Sequence, residues 1–380
     1  MGRRFGNRRP VRAGRVGRLR NAIALAALVI AAGAMPWEPA WSAPAACPPA
    51  SGFGLLCGQT RPEDLARIPG TRWVIASGFS AGAGLKLVDT AGRSLRPAYR
   101  GTSAEVGRPA DAFPHCQTAP DPKLFNAQGL SLRAAGEGRY RLYVVNHGGR
   151  ESVEVFDVDA RPDVPTLAWR GCVLLPAALA ANSVASYSDG TLLVTVLVHP
   201  GDTFADFVEG RNTGGVYQWR PGTAGFERVP GTELPGNNGI ETAADDSGFF
   251  VVAFGRHAIL RYSRHDPAAP PVQSVAPGFM PDNVHWDGGK LITAGMMYDE
   301  PACGGTRKVI DGRADDMRCH RGTVVAELDP QLMTFRIVAY APPDPTFNGA
   351  SAAVLVGGEL WLGSYQSDCL AYRSLPWLNE

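Results

Sequence analysis

The amino-acid sequence predicts an all-β fold, a six-bladed β-propeller, from three observations. Six short apolar segments recur along the chain, each too short for a buried helix and rich in β-forming residues. Turn residues precede most of them, and a strand with period-two alternation usually follows. Nothing after Ala46 sustains an apolar period of 3.6 residues. Repeated antiparallel units of roughly 40 to 70 residues are the signature of propeller blades, so six units give six blades. A β-sandwich would use the same strand signals; the near-regular recurrence favours the ring.

In chain order, the first unit carries Trp73-Val74-Ile75-Ala76-Ser77, followed by Leu85-Lys86-Leu87-Val88-Asp89. The second has Leu142-Tyr143-Val144-Val145-Asn146, then the alternating Val153-Glu154-Val155-Phe156-Asp157-Val158. In the third, Ser183-Val184-Ala185-Ser186 and the turn Ser188-Asp189-Gly190 lead into Leu192-Leu193-Val194-Thr195, and Val216-Tyr217-Gln218-Trp219 follows. The fourth turns at Asp245-Asp246-Ser247-Gly248 before Phe249-Phe250-Val251-Val252-Ala253 and continues with Ala258-Ile259-Leu260-Arg261-Tyr262. The fifth turns at Asp287-Gly288-Gly289 before Leu291-Ile292-Thr293-Ala294, with Val324-Val325-Ala326-Glu327-Leu328 after it. Gly357-Gly358 introduces the sixth, Leu360-Trp361-Leu362-Gly363.

Residues 1–45 read as a secretory signal peptide, and 46–380 as the propeller. Eight arginines lie between Arg3 and Arg20, an apolar run spans 22–35, and small residues end near Ala43-Pro44-Ala45. The expected location is therefore periplasmic or secreted, with no membrane span once the leader is removed. The chain has 37 Lys+Arg and 36 Asp+Glu; without the eight arginines and Glu38, 29 basic face 35 acidic residues. That mildly acidic balance argues against nucleic acid or anionic membrane as partners. Seven cysteines are compatible with disulfides in an exported protein. Cys303 with Cys319 and Cys116 with Cys172 are plausible pairs. Cys47, Cys57 and Cys369 then leave one bond and one free thiol.

The polar residues just ahead of the expected innermost strands are unusually uniform: Glu63-Asp64, Asn126, Asn182, Asn238-Gly239, Asp282-Asn283 and Asn348-Gly349. In a propeller these positions converge on one mouth of the central channel. Carboxylate and amide oxygens with no Cys and little His make a hard-oxygen site, which suits Ca2+ with its about six to eight oxygen ligands. Glu63 and Asp282 would balance its double charge. Asn-Gly also marks hairpin turns, so Asn238 and Asn348 have a second reading. Asn182, Asp282 and Asn283 lack a following glycine.

With these motifs in order, the sequence resembles the paraoxonase/arylesterase group within the calcium-dependent, gluconolactonase-like propellers. Pro62-Glu63-Asp64-Leu65 looks like the family's Glu-Asp-Leu segment. Leu142-Tyr143-Val144-Val145-Asn146-His147 with Ser152-Val153-Glu154-Val155-Phe156 is similar to its Val-Val-Asn-His and Val-Glu-Leu-Phe stretch. Asn182-Ser183, Asn238-Gly239-Ile240 and Asp282-Asn283-Val284 stand where the family has Asn-Asp, Asn-Gly-Ile and Asp-Asn-Ile.

The resemblance implies a catalytic calcium held by Glu63, Asn182, Asn238, Asp282 and Asn283, with Asp64 belonging to a second, structural calcium. It implies a hydrolase of lactones or carboxylic and aryl esters, in which the metal polarises the carbonyl and water attacks. Two departures stand out. Ser183 occupies the place of the second-calcium aspartate. Gln128 occupies the place of the histidine base, and an amide does not accept a proton at neutral pH. His147 retains the second position of that histidine pair. His285, two residues beyond Asn283 and so on the same strand face, is the first candidate for the base; His147 is second and Asp282 third.

Gly78-Phe79-Ser80-Ala81-Gly82 matches the nucleophile-elbow pattern, but a strand rather than a helix is expected after it. Asp311-Gly312-Arg313-Ala314-Asp315-Asp316 does not match EF-hand spacing and reads as a solvated loop, pinned by Cys303 and Cys319 near the channel mouth. Two other functions fit the same fold: a non-catalytic, calcium-stabilised binding module, which Gln128 favours, and another propeller enzyme such as a strictosidine-synthase-like lyase.

Overall fold

The computed structural model describes residues 47–107 and 109–375. The expected leader over 1–45 lies outside these residues. Each repeat folds as one four-stranded antiparallel sheet, and there are six. Blades 1 to 5 span 65–97, 127–174, 184–229, 237–273 and 279–341; blade 6 spans 350–374. The first strands are Leu65–Arg67, Ala127–Ala134, Val184–Ser186, Asn237–Thr242, Phe279–Asp287 and Ala350–Val356. They touch one another in sequence, the last against the first, and so surround a central channel.

The six apolar segments are the second strands of the blades. Trp73–Ser77 and Leu192–Val196 are buried at every position, because a neighbouring blade covers each face of the sheet. This two-sided burial is why these strands read as apolar runs rather than as alternation. The core is consequently a series of wedges between blades. Trp73, Ile75 and Leu87 of blade 1 pack on Leu130, Val144, Phe156 and Trp169 of blade 2. Leu65, Val74 and Val88 pack on Val354, Trp361 and Leu370 across the ring closure.

Closure is made by the N-terminal strand Gly54–Cys57, which pairs antiparallel with Cys369–Ser374 as the outer strand of blade 6. Cys57 faces Cys369 in that register. Cys116–Cys172 and Cys303–Cys319 are disulfides. Cys57 lies within bonding reach of both Cys47 and Cys369. One sulfur forms one disulfide, so the three cysteines share a single bond.

Four of the six first strands are irregular at the same level. Pairing skips Gln128-Gly129 in blade 2, Asn238-Gly239 in blade 4, Asp282-Asn283 in blade 5 and Ser351 in blade 6. Bulges of this kind bend a strand and re-aim its side chains.

One expectation is overturned. The segment 311–316, read as a solvated loop, ends in two buried carboxylates: Asp315 is 2% exposed and Asp316 3%. Arg321 and Arg307 neutralise them, at 2.8 and 2.6 Å. Both arginines lie in the same insertion, 298–322, whose charges the sequence reading placed in water. The second strand of blade 5 returns to the starting end of the first, so this insertion stands at the channel mouth. Among the described residues no helix is long and apolar enough to cross a membrane.

Candidate metal centre

Glu63, Asn182, Asn238, Asp282 and Asn283 come from blades 1, 3, 4 and 5 and are all buried. Asn283 Nδ2 donates to Glu63 Oε1 at 3.0 Å and to the Glu63 carbonyl at 3.3 Å. The Asn238 side chain bonds the Asp282 carboxylate. Ser351 Oγ donates to the Glu63 carbonyl at 2.6 Å, and Thr195 Oγ1 to the Asn238 carbonyl at 2.6 Å.

Four oxygens are left over. Glu63 Oε2, Asn182 Oδ1, Asn238 Oδ1 and Asn283 Oδ1 are buried with no hydrogen-bond partner. Each such atom costs about 1–3 kcal/mol if nothing satisfies it. An all-oxygen set of this kind fits a hard cation. The charges fit as well. Burial, then Asp64 and Asp282, raises the Glu63 carboxyl well above its usual range. Burial above all pushes Asp282 up to about 8, against the lowering effect of Asn238. A divalent cation between them would offset both penalties.

Asp64 differs, because its oxygens are already used. Oδ1 accepts from the Leu65 amide at 2.8 Å and faces His285 Nε2 at 2.6 Å; Oδ2 accepts from the Leu130 amide at 2.7 Å. His285 lies two residues, about 6.6 Å, further along the channel than Asn283. Its Nδ1 stands 3.9 Å from Glu241 Oε2. Here it lines a cavity of about 360 Å3 with Arg67, Arg133 and Asp287, residues at the opposite end of the first strands. His285 is thus placed beyond Asp64, away from the unpartnered oxygens.

His147 does stand on the mouth side, at the end of a second strand. Its Nε2 is 2.7 Å from Gln128 Oε1 and its Nδ1 is 2.8 Å from Glu151. Gln128, carried on the blade 2 bulge, stands close enough to Glu63 to lower its proton affinity slightly. The result is a hydrogen-bonded chain, Glu151–His147–Gln128, that ends beside Glu63. Both ring nitrogens of His147 thus face oxygen atoms. Ser80 sits in a turn that leads directly into the strand Leu85–Asp89, without the helix that a nucleophile elbow needs.

Sequence reasoning missed Glu241, Ser351, Arg307 and Tyr365. Glu241 carried a weak signal, because it follows Asn238 within one channel-lining strand. The other three have no motif, and folding alone brings them to the mouth.

No family model matches the sequence, and no curated protein matches it. Among solved structures, the chain is similar to a gluconolactonase from Xanthomonas campestris, with 16% identity and a TM-score of 0.51, over 90% of this chain and 99% of that one. It is also similar to a luciferin-regenerating enzyme, with 12% identity and a TM-score of 0.50, over 85% of this chain and 95% of the other. These likenesses establish the propeller fold.

Proposed function

We propose that the protein is a calcium-dependent hydrolase of lactones or of carboxylic and aryl esters. The four buried, unpartnered oxygens at the channel mouth carry this reading. The gluconolactonase named among the similar structures supports the substrate class. Glu63, Asn182, Asn238, Asp282 and Asn283 would hold the ion. When bound, calcium supplies Lewis acidity to a substrate carbonyl and charge stabilisation to its oxyanion. Asp64 takes its positive partner from His285, so the proposal is for one ion rather than two.

The chain's own residues define the rest. Asn283 holds the Glu63 carboxylate from one side and His147 holds Gln128 beside it, which keeps one edge of the site rigid. Both nitrogens of His147 face acceptors and His285 Nε2 is committed to Asp64, so the base role passes to Asp282. It is a carboxylate of the oxygen cluster itself, and bound calcium would lower the raised proton affinity that burial gives it. A calcium-stabilised binding propeller is the second reading, favoured by the amide at Gln128. The partner in either case is a small molecule, and export is proposed from the leader alone.

The test is hydrolysis of a panel of lactones and aryl esters before chelation, after it, and after calcium is restored. Turnover should vanish and return. Turnover by the folded, calcium-free protein would sink the metal-dependent mechanism. No turnover, together with a lower melting temperature in chelator, would leave the binding reading in place.

A further inference from the structure

We infer that Arg307 determines specificity at this site and that its substrates carry a carboxylate besides the lactone or ester that is cleaved. The inference rests on the hydrolase reading and extends it. Arg307 belongs to the insertion of blade 5, stapled by Cys303–Cys319. Its guanidinium lies over the rings of Phe254 and Phe207, at 4.7 and 5.3 Å. The Phe254 amide donates to the carbonyl of Gly236, two residues before Asn238. Arg307 Nε donates to Asp316 at 2.6 Å, and Asp316 accepts from the Tyr365 hydroxyl at 3.1 Å. The Tyr365 amide in turn donates to Gly349, next to Asn348. The Arg307–Asp316 pair therefore spans blades 4 to 6 above the oxygen cluster, and both charges act on Asp282.

The arginine is over-equipped for a structural role. Its side chain is 4% exposed, yet Nη1 has no partner. Nearby Arg321 uses both terminal nitrogens, on the carbonyls of Met297, Tyr298 and Gly305 and on Asp315, and leaves only its Nε unpartnered. A buried guanidinium N–H without an acceptor is costly unless a ligand supplies one. Asp316 already balances the Arg307 charge within the fold, and Glu63 and Asp282 would balance the ion. A carboxylate from outside would supply the missing acceptor, and it fits a guanidinium edge best.

The experiment uses the calcium-loaded, full-length protein. Calorimetry measures binding of cyclopentanecarboxylate and of its neutral amide, and kinetics compares γ-butyrolactone with its γ-carboxylate derivative. In Arg307→Met/Asp316→Asn the stem still packs on the phenylalanines and no buried charge is left unpaired. Carboxylate binding should weaken at least about tenfold, one charge-assisted bond, with amide binding unchanged. The preference for the anionic lactone should fall by a similar factor. Arg307→Lys keeps the charge but not the planar edge, and should lose part of the preference if the double variant does not fold. Equal carboxylate affinity in wild type and variants, or none in wild type, would overturn the inference. Arg307-dependent carboxylate binding without any lactone turnover would uphold the anion site and sink the hydrolase reading. Lactone turnover without anion preference would do the opposite.

Discussion

Glu63 and Asp282 are buried carboxyls held above their ordinary range, and the sign of that shift makes a prediction. A carboxyl raised by folding adds stability below its unfolded value near about 4 and loses it as pH rises through the folded value. For Asp282 that folded value is about 8. In chelator, stability should therefore fall between pH 5 and pH 8, by up to about 1.4 kcal/mol per pH unit for each proton released, and the melting temperature with it. Saturating calcium should flatten this slope, since binding displaces the same protons. A melting temperature that climbs with pH in chelator would show that these carboxyls are not raised. Asp282→Asn, which removes one of two charges and leaves the shape, should weaken calcium about a hundredfold, about 2.7 kcal/mol. Calorimetry showing wild-type affinity would remove Asp282 from the ligand set.

At the scale of the element, the bulges of the first strands set the site. A strand in regular register would pair Asn238, Gly239, Asp282 and Asn283 in its ladder. The skips release them together. Gly239 is needed where the two bulges press on each other. A Cβ there would stand 2.5 Å from the Asp282 carbonyl and 2.8 Å from the Asn283 Cα, both backbone atoms that do not move cheaply. Gly239→Ala should lower stability by about 1–3 kcal/mol and weaken calcium binding as well. Urea midpoints and calorimetry on one preparation would check both effects. A stability loss with calcium affinity intact would separate the bulge from the site.

At the scale of the whole molecule, the ring depends on its closure. The strand Gly54–Cys57 supplies the fourth strand of blade 6, and Phe53 and Leu55 pack into that blade's core. Removing 47–58 would expose a strand edge and an apolar wedge at once. The truncated protein should melt at lower temperature and self-associate, as read by thermal unfolding and size-exclusion chromatography. A monomer with the full-length melting temperature would mean that the ring closes without this strand.

The six-fold repeat and the second and third strands were legible in the sequence because burial on both faces imposes a local pattern of apolar runs and turns. That Glu63, Asn182, Asn238, Asp282 and Asn283 gather at one end of the channel was legible for the same reason, since they come from corresponding stretches of their repeats. The fate of each polar atom was not. His285 follows Asn283 by two residues, yet the channel geometry hands it to Asp64 and Glu241. Asp315 and Asp316 read as solvated charges, yet Arg321 and Arg307 bury them. Arg307 is far in sequence from every residue of the ring and carries no periodic signal. Local periodicity reports which face of a strand is covered. Hydrogen-bond partners and charge pairs depend on which strands and loops meet in space, and only the closed ring brings these together.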